Sequence, residues 1–348
     1  VPISTLRPDT AALTQPPTPS RGPTELEGLR LVLAGHPALR ALFAAEKAEA
    51  APDTVRLRER VTRVWEHAHA SRFDPLAEEL ASLLSVLEEA ARSAKGRDRR
   101  VLSGLLASTY QAAAAAFAQI DDPEAAWVAA DRAIRAGEDS GQPLQVVAGH
   151  YRLAHAFLRL GRLGLAERVA GTGADALAER TARADCPPQE LSLHGALHLV
   201  LAVISARDNN RAQARHHITA ARSLAGRLGK DRNDFDTEFG PTNVEVHAVS
   251  IAVDLGDAGE ALEAAENLDV IGLSAERQAR FHVDVARAHT QRRHVGEAVA
   301  SLLTAEHLSP DQIHAHPLVR ETIRELLGLS GRRASEELQE LARRCGSP

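Results

Sequence analysis

Six amphipathic segments of helical length carry a small residue at a matching place: Ala77, Ala126, Ala166, Ala214, Ala261 and Ala298. Nine residues before these alanines stand Ala68, Phe117, Phe157, Ser205, Ala252 and His289, and thirteen before stand Val64, Ala113, Leu153, Leu201, Ala248 and Val285. Seven residues after come Leu84, Ala133, Gly173, Ala221, Leu268 and Ala305. Most of these side chains are apolar or small, as a seam between close-packed helices requires. Five residues before each alanine fall Arg72, Asp121, Gly161, Asn209, Gly256 and Arg293, mostly types that tolerate a tight turn. The pattern predicts antiparallel helix pairs, each burying one face on the next, with a groove along the stack. Phe157 is expected in the seam, so that Phe157→Ala costs about 3 to 5 kcal/mol, while Arg159 faces the groove and can be replaced with little effect on stability.

Composition agrees with helices and with little else. Alanine, leucine, arginine and glutamate dominate, β-branched and aromatic residues are sparse, and no sheet is expected. A formal net charge of −6 has the wrong sign for a surface that grips nucleic acid all over. Cys186 and Cys345 lie far apart and outside any CxxC pair, which supports neither a disulfide framework nor a cysteine zinc site. No secretion signal is evident and no apolar run is expected to cross a bilayer, so no membrane partner is predicted and the expected setting is cytoplasmic. The chain divides into a proline-rich linker over 1–23, N-terminal helices over 24–54, the repeat array over 55–330 and a capping helix over 331–348. It opens at Val1 and contains no methionine, which suggests that an N-terminal part is missing.

At Leu153-Ala154, Phe157, Gly161 and Ala166, and again at Tyr110, Phe117 and Ala126, the sequence resembles the tetratricopeptide repeat family, whose unit of about 34 residues has an aromatic in its first helix and a small residue early in its second. The expected fold is therefore all-α, a tetratricopeptide-like superhelix of antiparallel pairs. Its units vary, from 37 residues (Ala261 to Ala298) to 49 (Ala77 to Ala126), so longer helices or extra loops must absorb the excess. The run Asp236-Thr237-Glu238-Phe239-Gly240-Pro241-Thr242-Asn243-Val244, with His247, Val253-Asp254-Leu255-Gly256-Asp257, Glu260-Ala261-Leu262, Arg277, Arg280, Ala286-Arg287 and Glu297-Ala298, resembles the C-terminal region of actinobacterial Xre-type regulators. In that family a Cro/repressor-like helix-turn-helix domain precedes a proline-rich linker and a helical array. The resemblance implies a homodimeric ligand-sensing domain of a transcriptional regulator that meets DNA only through a helix-turn-helix absent from this chain. A constitutive tetratricopeptide-type adaptor for protein partners is the alternative.

Chemistry-bearing motifs are few. No GxSxG, P-loop, HExxH or GxGxxG occurs, so no enzyme is predicted, no catalytic residue is named and no cofactor is expected. Glu190, His194 and His198 share a helical face, but ligands on three consecutive turns span about 12 Å, and no metal is expected there. His216-His217 and His314-x-His316 read as solvated surface. The segment Asp231 to Thr242 alternates polar residues with Phe235 and Phe239; it either caps the groove or is anchored by its phenylalanines as an inter-repeat loop, with Pro241 starting a helix.

In tetratricopeptide arrays the inner face comes from fixed first-helix positions, and that register selects Glu59, Thr62, Glu66 and His69, then Gln111 and Gln119, then Tyr151, His155 and Arg159, then Arg207, then Asn243, Ser250 and Asp254, then Arg280, Arg287 and Gln291. Of these, Gln111, Tyr151, His155, Arg159, Arg207, Asn243, Ser250, Asp254, Arg280 and Arg287 form the expected ligand-binding groove. Arginines and carboxamides suit a peptide backbone or an acidic ligand, and Tyr151 offers an aromatic wall. The expected partner is a peptide or small-molecule signal.

Overall fold

A computed structural model describes residues 53–346 together with Leu29, Arg30 and Leu33. The linker expected over 1–23, and nearly all of the segment 24–54, lie outside the described residues. Over the described residues 53–346 fifteen α-helices follow one another: α1 (Thr54–His69), α2 (Phe73–Ser93), α3 (Gly96–Gln119), α4 (Pro123–Ser140), α5 (Pro143–Arg159), α6 (Leu163–Thr181), α7 (Pro188–Arg207), α8 (Arg211–Leu228), α9 (Pro241–Asp254), α10 (Ala258–Glu266), α11 (Ala275–Gln291), α12 (Val295–Leu308), α13 (Pro310–Ala315), α14 (Pro317–Ser330) and α15 (Glu336–Arg344). Among the described residues there is no strand, only an isolated antiparallel bridge between Arg232 and Phe239.

The helices begin where local chemistry lets them. Proline opens α4, α5, α7, α9, α13 and α14, the position where its missing N–H costs nothing. Side chains of Asp53, Asp122, Asn210, Ser274 and Ser335 accept first-turn N–H groups of α1, α4, α8, α11 and α15. Consecutive helices pack on one another, and α1 also touches α3, α3 touches α5, α5 touches α7, α7 touches α9, α9 touches α11 and α11 touches α14. The uneven unit lengths come from 21- and 24-residue helices at α2 and α3, and from the long connection between α8 and α9.

All six alanines of the register are buried. In five units the alanine N–H donates to the carbonyl of the residue that caps its helix: Ala126 to Asp122, Ala166 to Arg162, Ala214 to Asn210, Ala261 to Asp257 and Ala298 to His294. In the first unit that bond is made by Leu76, to Arg72, so the expected register is one residue late there. The backbone agrees, because the left-handed turn residue five places earlier is Asp121, Gly161, Asn209, Gly256 or Arg293 in the later units and Ser71, not Arg72, in the first. Moved by one, the inner positions of α1 become Arg58, Val61 and Trp65 in place of Glu59, Thr62 and Glu66, which are exposed. Val61 and Trp65 are buried.

Phe157 departs from expectation too. It is half-buried and lies against the exposed Trp127, with ring centroids 5.7 Å apart, whereas Phe117 at the same place in the preceding unit is fully buried. The cavity cost expected for Phe157→Ala belongs instead to Phe117→Ala.

α7 is apolar nearly all round and is buried on every side, touching α5, α6, α8 and α9. Contrary to the reading of the apolar runs, α3 and α7 are each long and apolar enough to cross a bilayer; 67% and 83% of those stretches are buried inside the fold.

Candidate functional site

The connection between α8 and α9 is where the molecule departs from a plain series of helix pairs. Phe235, Asp236 and Glu238 all have left-handed backbone, a conformation that persists only where surroundings enforce it. The enforcement is visible on several helices. Phe239 is fully buried against α7, where a methyl group built on Gly195 would fall inside its ring, so only glycine fits there. From α5, the Arg152 guanidinium donates to the carbonyls of Phe235 (3.2 Å) and Asp236 (2.7 Å) and lies 5.0 Å from the ring centroids of both Trp65 on α1 and Tyr151. From α11, Ser274 donates its N–H (3.1 Å) and hydroxyl (2.9 Å) to Glu238, while Arg277 Nε reaches Glu238 at 3.2 Å. His69 at the end of α1 lies 3.9 Å from Asp236. The loop thus joins α1, α5, α7 and α11, and its phenylalanines differ: Phe239 is an anchor, Phe235 is half-buried with its carbonyl turned to Arg152.

Beyond this loop lies a cleft of about 820 Å³, its open mouth included. The repeat register lines it. Arg159, Arg207 and Asp254 stand seven residues before their alanines, at the ends of α5, α7 and α9; His155, Val203, Ser250 and Arg287 stand eleven before; Val246 and Val283 stand fifteen before; Arg280 stands eighteen before. His316 and Leu318 close the far side from the junction of α13 and α14. Five arginines and two aspartates line the cleft, so with neutral histidines it carries an excess of positive charge inside a chain of net charge −6.

The ion pairs show which arginines are already engaged. Arg287 bonds both Asp254 (2.7 Å) and Asp284 (2.9 Å). Arg277 is held by Glu238, by Glu276 at 3.6 Å, and by the Tyr151 hydroxyl and Thr237 carbonyl, each at 3.4 Å. The others are looser. Arg159 is 3.6 Å from Asp121, Arg280 is 3.7 Å from Glu276, and Arg207, exposed at the mouth, has no hydrogen-bond or ion-pair partner among the described residues. Burial, then the neighbouring Arg280 guanidinium, pushes Arg159 down to about 10. Burial and the facing guanidiniums of Arg280 and Arg207 outweigh the attraction of Asp121 and Glu276.

Seven of the ten expected groove residues meet in this cleft: His155, Arg159, Arg207, Ser250, Asp254, Arg280 and Arg287. Gln111, Tyr151 and Asn243 do not line it. Gln111 is buried and donates to Gln145 Oε1 at 2.8 Å, Asn243 is buried and donates to the Glu238 carbonyl at 2.6 Å, and buried Tyr151 is covered by Arg152 and Arg277. Both arginines also hold the loop, Arg152 through the Phe235 and Asp236 carbonyls and Arg277 through Glu238 and the Thr237 carbonyl. The register did not include His247, Arg277, Asp284 and His316; the first two stood in the family-like run, and His316 was read as solvated surface. It is instead buried, and its Nδ1 accepts the Leu318 N–H at 3.2 Å.

Glu190, His194 and His198 are occupied with other partners. Glu190 accepts a paired contact from Arg180, His194 Nδ1 lies 2.7 Å from the Thr181 hydroxyl, and His198 Nδ1 lies 3.1 Å from His217 Nδ1. Among the described residues no group of three or more His, Cys, Asp or Glu is placed to hold a metal ion. Of the other histidines read as surface, His216 is exposed, while His217 and His314 are half-buried, the latter 2.7 Å from Glu306.

The buried histidines set the response to acid. Burial pushes His194 down to about 4, and His198 and His247 to about 3; burial, with Arg277 and Arg152 beside His155 and with Arg159 and Arg280 beside His316, holds both of these far below their ordinary range. All are neutral in the fold and charge readily in the unfolded chain, so their burden is absent above about pH 6.5 and grows as pH falls toward the folded values. For His194 and His316, both buried, that is up to about 1.4 kcal/mol per pH unit each. Asp236, pushed up to about 6 by burial, works the other way below that pH but offsets only one histidine. Urea midpoints should therefore be clearly lower at pH 5 than at pH 7; equal midpoints would show that these rings are solvated.

No protein-family model matches the chain, and comparison with curated proteins finds no relative.

Proposed function

We propose that this chain is the ligand-sensing and dimerisation part of a transcriptional regulator: a tetratricopeptide-like superhelix that holds a small signal on its inner face, works as a cytoplasmic homodimer and meets DNA only through a helix-turn-helix domain outside this chain. The observation that supports the reading is the cleft, in which arginines from α5, α7 and α11 converge with weak or no partners. Charged groups so placed are costly unless something fills the space between them. Contact of each first helix with the next supports placing the site on the inner face of a stack of pairs.

Arg277 is the link from the cleft to the rest of the stack, since it lines the cleft and also holds Glu238 and Thr237 of the loop that reaches α1. A coupling of about 1 to 3 kcal/mol through that link changes a dimer constant about 5- to 150-fold. Sedimentation and small-angle scattering, with and without fractionated small-molecule cell extract, test the reading. A sensor shifts its dimer constant or envelope with one fraction; an adaptor keeps both with every fraction, which would overturn the proposal.

A further inference from the structure

Resting on the reading of the cleft as the signal site, we infer that its ligand is a small amphipathic organic anion, with its carboxylate or phosphate headgroup between Arg159, Arg207 and Arg280 and its hydrocarbon body against Val203, Val246 and Val283.

Three features of the site select this class. The headgroup position follows from which cations are spare. Arg287 and Arg277 are committed to Asp254, Asp284, Glu238 and Glu276, whereas Arg207 has no hydrogen-bond or ion-pair partner among the described residues, only the longer-range attraction of Asp254 and Asp284, and Arg159 and Arg280 have one distant carboxylate each within ion-pair reach. Three guanidiniums from three helices offer forked donors to one anion, and an anion among them removes their mutual repulsion. The valines on α7, α9 and α11 supply an apolar wall that inorganic phosphate would leave empty. Length is limited at both ends. On one side Arg277 ties the cleft to Glu238 and the Thr237 carbonyl, and on the other His316 and Leu318 close it, which leaves room for a small molecule and not for a long extended peptide.

Calorimetric titration of the chain with octanoate, octyl phosphate, 1-octanol and inorganic phosphate tests this. Octanoate or octyl phosphate should bind about tenfold or more tightly than octanol, and more tightly than inorganic phosphate; which of the two wins identifies the headgroup. Arg207→Gln, at an exposed position, should weaken the anion about tenfold or more with no change in the unfolding midpoint, and Arg280→Lys should weaken it less than Arg280→Gln. Equal binding of octanol and octanoate, binding of inorganic phosphate alone, or unchanged affinity in Arg207→Gln would each overturn the assignment. If the anion binds but leaves the dimer constant and envelope unmoved, the assignment stands and the sensor reading fails. If an extract fraction moves them while no octyl anion binds, the sensor reading stands and the assignment fails.

Discussion

Replacing Phe239 by alanine is expected to lower the stability of the fold by about 3 to 5 kcal/mol, among the largest effects of any single substitution in this chain. The ring is fully buried and lies directly on the backbone of α7 at Gly195. Its removal leaves a cavity in the cluster that includes Leu193, Leu197 and Val244. It also frees the segment that Arg152 and Glu238 tie to other helices. The reciprocal change, Gly195→Ala, should be destabilising because the new methyl group must push the ring out, at about 1 to 3 kcal/mol or more. The two substitutions are in contact, so they should not add: alanine at 195 should cost much less once the ring is gone. Urea unfolding of the two single variants and the double variant checks this. A loss below about 1 kcal/mol for Phe239→Ala would mean that the loop is not anchored.

Arg277→Met is the second large effect. The guanidinium is almost fully enclosed and stands between Glu238 and Glu276, with the Tyr151 hydroxyl and Thr237 carbonyl as further acceptors. Its proton is held well above the ordinary arginine range by the Tyr151 hydroxyl and by Glu276 and Glu238, which together outweigh burial. Removing the cation leaves Glu276, itself buried, with only Arg280 at 3.7 Å and the Gln312 amide at 3.2 Å. Breaking a buried pair from one side costs about 3 to 5 kcal/mol. Arg277→Lys keeps the charge but loses the fork, so it should recover only part of the loss. Denaturant midpoints of the two variants decide it, and a methionine variant as stable as the parent would show that the loop and cleft are not joined through this residue.

What the sequence reveals and what it hides divides along periodicity. The alanine seam, the turn positions and most of the cleft are periodic, and so Arg159, Arg207, Asp254, Ser250 and Arg287 could be placed by counting from Ala166, Ala214, Ala261 and Ala298. The first unit is offset by one because Leu76, not the small Ala77, fills the place whose N–H bonds to the Arg72 carbonyl. Both side chains are buried, so hydrophobicity alone could not separate them. The loop between α8 and α9 has no counterpart in other units, and counting could not show that the arginines holding it, Arg152 and Arg277, cover Tyr151 or that it takes Asn243 as a support. Its signals were a glycine facing a phenylalanine 44 residues away, Gly195 and Phe239, and the three residues Phe235, Asp236 and Glu238 forced into left-handed backbone; neither can be read without coordinates. His316 escaped because it caps α14 from outside the register.

The segment 231–240 is held among α1, α5, α7 and α11 and meets the cleft through Arg277. Hydrogen exchange followed by mass spectrometry measures this directly. The amides of Arg232, Asp236, Thr237, Glu238 and Thr242 all donate to partners within or next to this loop. A segment held in this way exchanges these amides as slowly as the buried helices α5 and α7, and far more slowly than the turn around the exposed Ile271. Exchange of the segment at the rate of that turn would contradict it.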